Sequence, residues 1–181
     1  MLGGKARLKT ALFIGRFQPF HKGHLYAITE ILEEVDEIII GIGSAQHSHT
    51  INNPFNAGER IRMIRESLNE HGIDPSLYYL IPVPDINDNR LWVSHVITLA
   101  PPFQLVYTND PLTTQLFNEA QFKVVPLKMH RRELYCATEI RKRMLEGESW
   151  EELVPKKVME IVREIGGLKR IRNIGTKKLK I

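Results

Sequence analysis

Two histidines and several cationic side chains crowd one short stretch of this chain, Gly15-Arg16-Phe17-Gln18-Pro19-Phe20-His21-Lys22-Gly23-His24. The stretch follows an apolar run, Thr10–Ile14, and leads into a helical pattern. Its residue types suit the handling of an anion. The first N–H groups of a helix have no intrahelical partner and carry partial positive charge, so they attract phosphate. Gly23 would let a phosphate come close to the backbone. His21 and His24 are three residues apart and can face the same side of a first turn. Two imidazoles placed there could donate to one phosphoryl group as its charge grows. Arg16 and Lys22 add positive charge beside them. The plain alternative is a pair of surface histidines at a helix start. A metal site would need further ligands, and none of suitable type lies nearby in sequence, although folding could bring His47 and His49 close. No metal-binding residue is therefore assigned.

A second cationic group opens a helix near the other end, Cys136-Ala-Thr-Glu-Ile-Arg-Lys-Arg143. Thr138 is expected as its N-cap, and Glu139 in the first turn suits the helix dipole. Arg141 stands three residues beyond Thr138, so both can face an anion at the helix start. Arginine offers a fork of donors matched to phosphate oxygens. Taken alone, the segment also reads as an ordinary capped helix with a charged solvent face.

The elements that must bring these two segments together are legible from periodicity. Strands are predicted at Thr10–Ile14, Glu37–Ile42, Tyr78–Val83, Gln104–Tyr107 and Phe122–Val125, and helices at Lys22–Glu34, Ala57–Glu70, Arg90–Leu99, Leu112–Glu119, Thr138–Leu145 and Pro155–Ile165. Glu37-Ile-Ile-Ile-Gly-Ile42 is almost continuously apolar, as in a strand covered on both faces. Regular alternation of strand and helix predicts an α/β fold, a doubly wound parallel sheet with further helices at the C-terminal end. Such sheets bind ligands outside the carboxyl ends of their strands. The whole chain, 181 residues, fits one domain with a core over about 10–168. Residues 1–9 and about 170–181 are expected to be flexible tails.

Composition narrows the function classes. Hydrophobic residues make up 43% of the chain, enough for a packed core. The formal charge of +4 suits a phosphate-rich ligand or a nucleic acid. Much of the excess, however, lies in Lys169, Arg170, Arg172, Lys177, Lys178 and Lys180, away from both segments. The single cysteine, Cys136, fits a reducing cytoplasm. No membrane span or secretory leader is evident.

The Gly15–His24 run resembles the H-x-G-H signature of the nucleotidylyltransferase superfamily, and its longer wording resembles the archaeal nicotinamide-mononucleotide adenylyltransferases. The second segment resembles the superfamily's second signature, with Cys136 and Ala137 where archaeal relatives often carry Ser and Gly, and with Thr138 and Arg141 kept. Gly41–Gln46, Asn53–Arg60, Pro82–Ile86, Leu91–His95 and Tyr107–Pro111 continue the likeness, which covers roughly residues 11–168. Asn52 stands where some relatives hold phosphates with an Arg.

The resemblance implies a Rossmann-like nucleotidylyltransferase fold and transfer of AMP from ATP to nicotinamide mononucleotide (NMN), giving NAD and pyrophosphate. His21, His24 and Arg141 would be catalytic. ATP phosphates would meet Gly15, Arg16, Phe17, Lys22, Gly23, Asn109, Thr138 and Arg141. NMN would meet Gly43, Ser44, Asp85 and Trp92, with the nicotinamide ring stacked on Trp92, a favourable cation–π arrangement. Mg²⁺ would travel with ATP. The family also implies a homo-oligomer, commonly a hexamer. Two rivals stay open at this point. One is an adenylyltransferase for flavin mononucleotide or phosphopantetheine. The other is a nucleic-acid-binding or regulatory module carried by the basic C-terminus, although no RNA-reading aromatic platform or recognition helix is apparent.

Overall fold

The computed structural model describes residues 8–128 and 134–177. Its centre is a five-stranded, all-parallel sheet in the order β3-β2-β1-β4-β5. The strands are β1 (Thr10–Gly15), β2 (Glu37–Gly43), β3 (Tyr78–Val83), β4 (Leu105–Tyr107) and β5 (Lys123–Val125). Between them run α1 (Lys22–Glu34), α2 (Ala57–Glu70), α3 (Asn89–Leu99) and α4 (Pro111–Glu119). After β5 come α5 (Ala137–Glu146), α6 (Lys156–Glu164) and α7 (Gly167–Lys177).

Strand side chains alternate between two packed layers, as the period of two requires. Ala11, Phe13, Ile38, Ile40 and Ile42 join the core that holds Ile28 of α1, Ile64 of α2 and Ile161 of α6. Leu12, Ile39 and Val106 face the other way, onto Val93 and Val96 of α3 and Phe117 of α4. Helices thus cover both faces, and the predicted doubly wound sheet is the observed one. The sequence order of the strands reverses between β1 and β4, so the ligand crevice of such a sheet opens at the carboxyl end of β1. That is where the Gly15–His24 stretch lies.

The expected loose end from about residue 170 is largely helical in the structure. Within α7, Ile171 is buried. Arg170 makes two 2.7 Å bonds to the Glu59 carboxylate and a 3.1 Å bond to the Pro54 carbonyl. Leu168 and Ile171 pack on the core while the charged residues flank them, which is why a charge count alone misreads this helix as a tail. At the other end Lys9 is also tied down, its N–H donating to Asp36 at 2.7 Å. The remainder of both expected tails, 1–7 and 178–181, lies outside the described residues.

Candidate active site

The loop after β1 is held from several sides. Phe17 adopts φ +50°, a left-handed conformation uncommon for a bulky side chain, with its ring buried against Gly15. A Cβ on Gly15 would sit 3.1 Å from that ring. Gln18 is buried and clamps the backbone of Phe55 twice, donating to its carbonyl at 2.7 Å and accepting from its N–H at 3.0 Å.

His21 and His24 do more than face one side of a turn. His21 is the N-cap of α1, and its Nδ1 accepts from the His24 N–H at 3.3 Å. Reciprocally, His24 Nδ1 accepts from the His21 N–H at 3.2 Å. The two rings stack with centroids 3.5 Å apart, and His24 also contacts the rings of Phe17 and Phe20. An Nδ1 that accepts leaves the ring proton on Nε2. Both imidazoles are therefore neutral Nε2–H tautomers whose donors point away from the helix backbone. Burial supports that state. It lowers the pKa of His21 from 6.5 to about 3, and burial, together with the repulsion that a second proton on adjacent His21 would bring, holds His24 well below 6.5.

The second segment meets this loop. Arg141 is buried and donates to the Gln18 carbonyl at 2.8 Å and to Thr138 Oγ1 at 3.3 Å. Burial lowers its pKa, as does the neighbouring charge of Arg16. The expected N-cap at Thr138 is corrected. Cys136 takes that position without a side-chain bond, so the helix starts one residue earlier and Thr138 is free to orient Arg141. Gly23 has a reason beyond ligand approach. A Cβ there would lie 2.8 Å from Cβ of Tyr135 and 3.1 Å from Nδ1 of His21, so the absence of a side chain lets the two segments close.

Two of the expected phosphate ligands make other contacts in the structure. Lys22 lines a groove beside Leu25, Tyr26, Glu152 and Pro155. Asn109 uses its amide on Leu127, donating to its carbonyl at 2.9 Å and accepting from its N–H at 3.0 Å, which braces the end of β5. Its neighbour Asp110 caps α4 through the Thr113 N–H.

At the end of β2 a second wall forms. Ser44, also left-handed at φ +50°, donates its N–H to Asp85 Oδ1 at 3.2 Å. Gln46 holds the backbone of Asp85, donating to its carbonyl at 3.2 Å and accepting from its N–H at 2.9 Å. Asp85 and Trp92 line one cavity of about 250 Å³ with Ile86, Asn89, Leu112 and Leu116. The indole is held edge-on against Phe117, with centroids 5.7 Å apart. Asp85, Ser44 and Trp92, widely spaced in sequence, thus share one side of the sheet's carboxyl end.

Between the walls lies a residue that the motif reading overlooked. Arg60 of α2 is fully buried. Its guanidinium donates to the carbonyls of Arg16 at 2.8 Å, Gly43 at 2.7 Å, Ser44 at 3.1 Å and Asn56 at 3.3 Å. Burial lowers its pKa to about 10, with Asp85 opposing and Arg16 adding to the effect. The capping box of Asn56 and Glu59 fixes the start of α2. Arg60 then falls on the same stripe as buried Met63, Ile64, Ser67 and Leu68, a spacing readable in the sequence. Among the described residues, no three His, Cys, Asp or Glu side chains gather as a metal cluster.

A cytidylyltransferase-like family model matches residues 12–143. Nicotinamide-nucleotide adenylyltransferase of Archaeoglobus fulgidus is 54% identical over 168 residues, covering 91% of this chain and 96% of that one. The enzyme of the same name from Pyrococcus furiosus is 52% identical over 170 residues, 93% of this chain and 90% of that one. Among solved structures, a bifunctional NMN adenylyltransferase/ADP ribose pyrophosphatase from Francisella tularensis superposes with a TM-score of 0.80 at 24% identity. That likeness covers 96% of this chain and 54% of the longer protein, and it bears on the fold alone.

Proposed function

The chain belongs to the nicotinamide-nucleotide adenylyltransferase family and transfers the adenylyl group of ATP to NMN, and we propose that it does so in the cleft where the Gly15–His24 loop meets α5. The observation that carries this site is the set of cations around it. Arg60 and Arg141 bond to carbonyl oxygens and a hydroxyl; burial chiefly, and the charge of nearby Arg16 to a lesser degree, weakens the hold of both on their protons. Among the described residues no carboxylate forms a salt bridge with any of the three. Buried cations such as Arg60 and Arg141 are ordinarily paired, and Arg16 adds an exposed charge beside them, so a polyanion is the partner this cluster suits.

A phosphate oxygen of NMN attacks the α-phosphorus of ATP in line, and the bond to the pyrophosphate oxygen breaks. The attacking oxygen is already anionic, so no side chain has to remove a proton. His21 and His24 donate from Nε2 to the α-phosphoryl oxygens as charge gathers there, and remain neutral throughout. Arg16 and Arg141 hold the phosphates, Arg141 chiefly those of the departing pyrophosphate, with Gly15, Phe17, Gly23 and Thr138 shaping the phosphate wall. Gly43, Ser44 and Asp85 hold the NMN side, with its pyridinium against the Trp92 face. A Mg²⁺ ion bound to ATP would offset part of the phosphate charge, with no metal cluster of this chain's own among the described residues. A cytoplasmic homo-oligomer, hexameric by family resemblance, completes the reading. Apolar Leu91, Ile97 and Leu99 of α3 are exposed surface that assembly would cover.

The test supplies ATP and Mg²⁺ with NMN, nicotinic-acid mononucleotide, flavin mononucleotide or phosphopantetheine, and identifies the products. NAD and pyrophosphate in equal amounts are expected with NMN. Turnover with flavin mononucleotide or phosphopantetheine in preference to NMN would overturn the assignment.

A further inference from the structure

The phosphate-holding role given to Arg16 and Arg141 does not account for Arg60, which is more deeply buried than either. Its acceptors are carbonyls at the ends of two neighbouring central strands, β1 and β2. A helix residue that only filled this core would serve as well or better without a charge. What the guanidinium does is fix the orientation of three peptide groups.

A trans peptide is planar, with its N–H directed opposite to its C=O. When the Arg16 carbonyl points at Arg60, the Phe17 N–H must point away from it. The same holds for the Gly43 carbonyl with the Ser44 N–H, and for the Ser44 carbonyl with the Ala45 N–H. Two of these three donors are occupied on the far side, Ser44 by Asp85 Oδ1 and Ala45 by the Val83 carbonyl at 3.2 Å. The Phe17 N–H has no hydrogen-bond partner among the described residues. Phe17 and Ser44 are also the two left-handed residues at these strand ends, a conformation that persists only when its surroundings impose it. A cation bonded to a carbonyl further strengthens the N–H of the same peptide as a donor.

We propose that Arg60 is a positioning residue for adenylyl transfer: from beneath the cleft it turns the Arg16–Phe17 peptide so that the Phe17 N–H faces the ATP phosphates, and turns the Gly43–Ser44 peptide so that Ser44 anchors Asp85 on the NMN side. One buried group thereby sets both halves of the site. This inference rests on the cleft assigned above.

The experiment compares Arg60→Lys and Arg60→Ala with the unaltered protein, each assayed well below its own thermal midpoint. Lysine keeps the charge but cannot span carbonyls on two strands with a planar fork. We expect kcat to fall about 10²-fold, the scale of one misaligned transition-state donor, with KM for NMN raised as well. Added methylguanidinium should restore part of the Arg60→Ala turnover, which a purely structural role would not predict. Full activity of folded Arg60→Lys, or an Arg60→Ala loss that methylguanidinium leaves unchanged, would overturn the proposal. His21→Asn, run in parallel, separates the two claims. If it is fully active, the cleft itself is misassigned. If it is inactive while Arg60→Lys is not, only the role of Arg60 fails.

Discussion

Replacing His21 by asparagine separates the two tasks that the structure gives this side chain. Its Nδ1 caps α1 by accepting from the His24 N–H, and its Nε2–H is the proposed donor to the α-phosphoryl group. An asparagine Oδ1 can take over the cap, since Asn ranks among the best N-cap residues. It has nothing that reaches as far as Nε2. The loss of one preorganised donor to a developing anion costs about 3–4 kcal/mol, or about 10²–10³ in kcat. The fold should lose less than about 1 kcal/mol, a shift of under roughly 4 °C in thermal midpoint for a chain of this length. His21→Ala removes cap and donor together, so it should match the asparagine variant in kcat and melt below it by the value of the cap. The assays are pyrophosphate release at saturating ATP and NMN and a circular-dichroism melt of each variant. A folded His21→Asn protein with kcat within about threefold of the original would refute the reasoning, because the Nε2 donor would then be idle.

Three further outcomes follow from the same geometry. Trp92→Ala should raise KM for NMN by about 5- to 30-fold, the equivalent of about 1–2 kcal/mol of cation–π contact, and leave KM for ATP alone; an equal rise in both would argue against a base-stacking role. Gly23→Ala places a Cβ 2.8 Å from Tyr135, so about 1–3 kcal/mol of overpacking should appear in denaturant unfolding, together with lost activity as the two segments are forced apart. Because the folded pKa of His21 is depressed to about 3 from an unfolded 6.5, its contribution to stability is complete above pH 6.5 and declines as pH falls toward 3. At pH 5 the loss from this one group should be about 2 kcal/mol by urea titration, with His24 adding in the same direction, and His21→Asn should show a flatter profile. An unchanged unfolding free energy between pH 7.5 and pH 5 would contradict neutral burial of these rings.

Most of the scaffold was legible because each strand is short, apolar and followed by a helix of matching stripe. Glu37–Ile42 is the plainest case, since a strand buried on both faces has no alternative reading of that length. The convergence of the first and second segments could be anticipated only from residue type, and the structure gives it a mechanical cause in Gly23 against Tyr135 and Arg141 on the Gln18 carbonyl. Residue type alone does not fix where a side chain is placed. Lys22 and Asn109 have suitable groups for phosphate, and the structure adds contacts that their type does not reveal: Lys22 lines a groove with Leu25 and Pro155, and Asn109 braces Leu127. The capping role of both histidines is invisible in a motif, because histidine is not a usual N-cap and the reciprocity depends on ring stacking. Arg60 escaped notice for the opposite reason. An arginine on a surface-type helix is expected in solvent, and only its position on the Met63–Ile64–Ser67–Leu68 stripe signals otherwise. In α7 the apolar Leu168 and Ile171 carried the helical signal beneath a charge run.

Adenylyl transfer in this cleft requires the phosphates to lie between the paired imidazoles and Arg141. A crystal structure with NMN and the non-transferable analogue α,β-methylene-ATP tests it most directly. The α-phosphoryl oxygens should lie within hydrogen-bond reach of Nε2 of His21 and His24, with the terminal phosphates on Arg16 and Arg141 and the nicotinamide ring over Trp92. A triphosphate bound elsewhere, with both Nε2 atoms facing solvent, would contradict it.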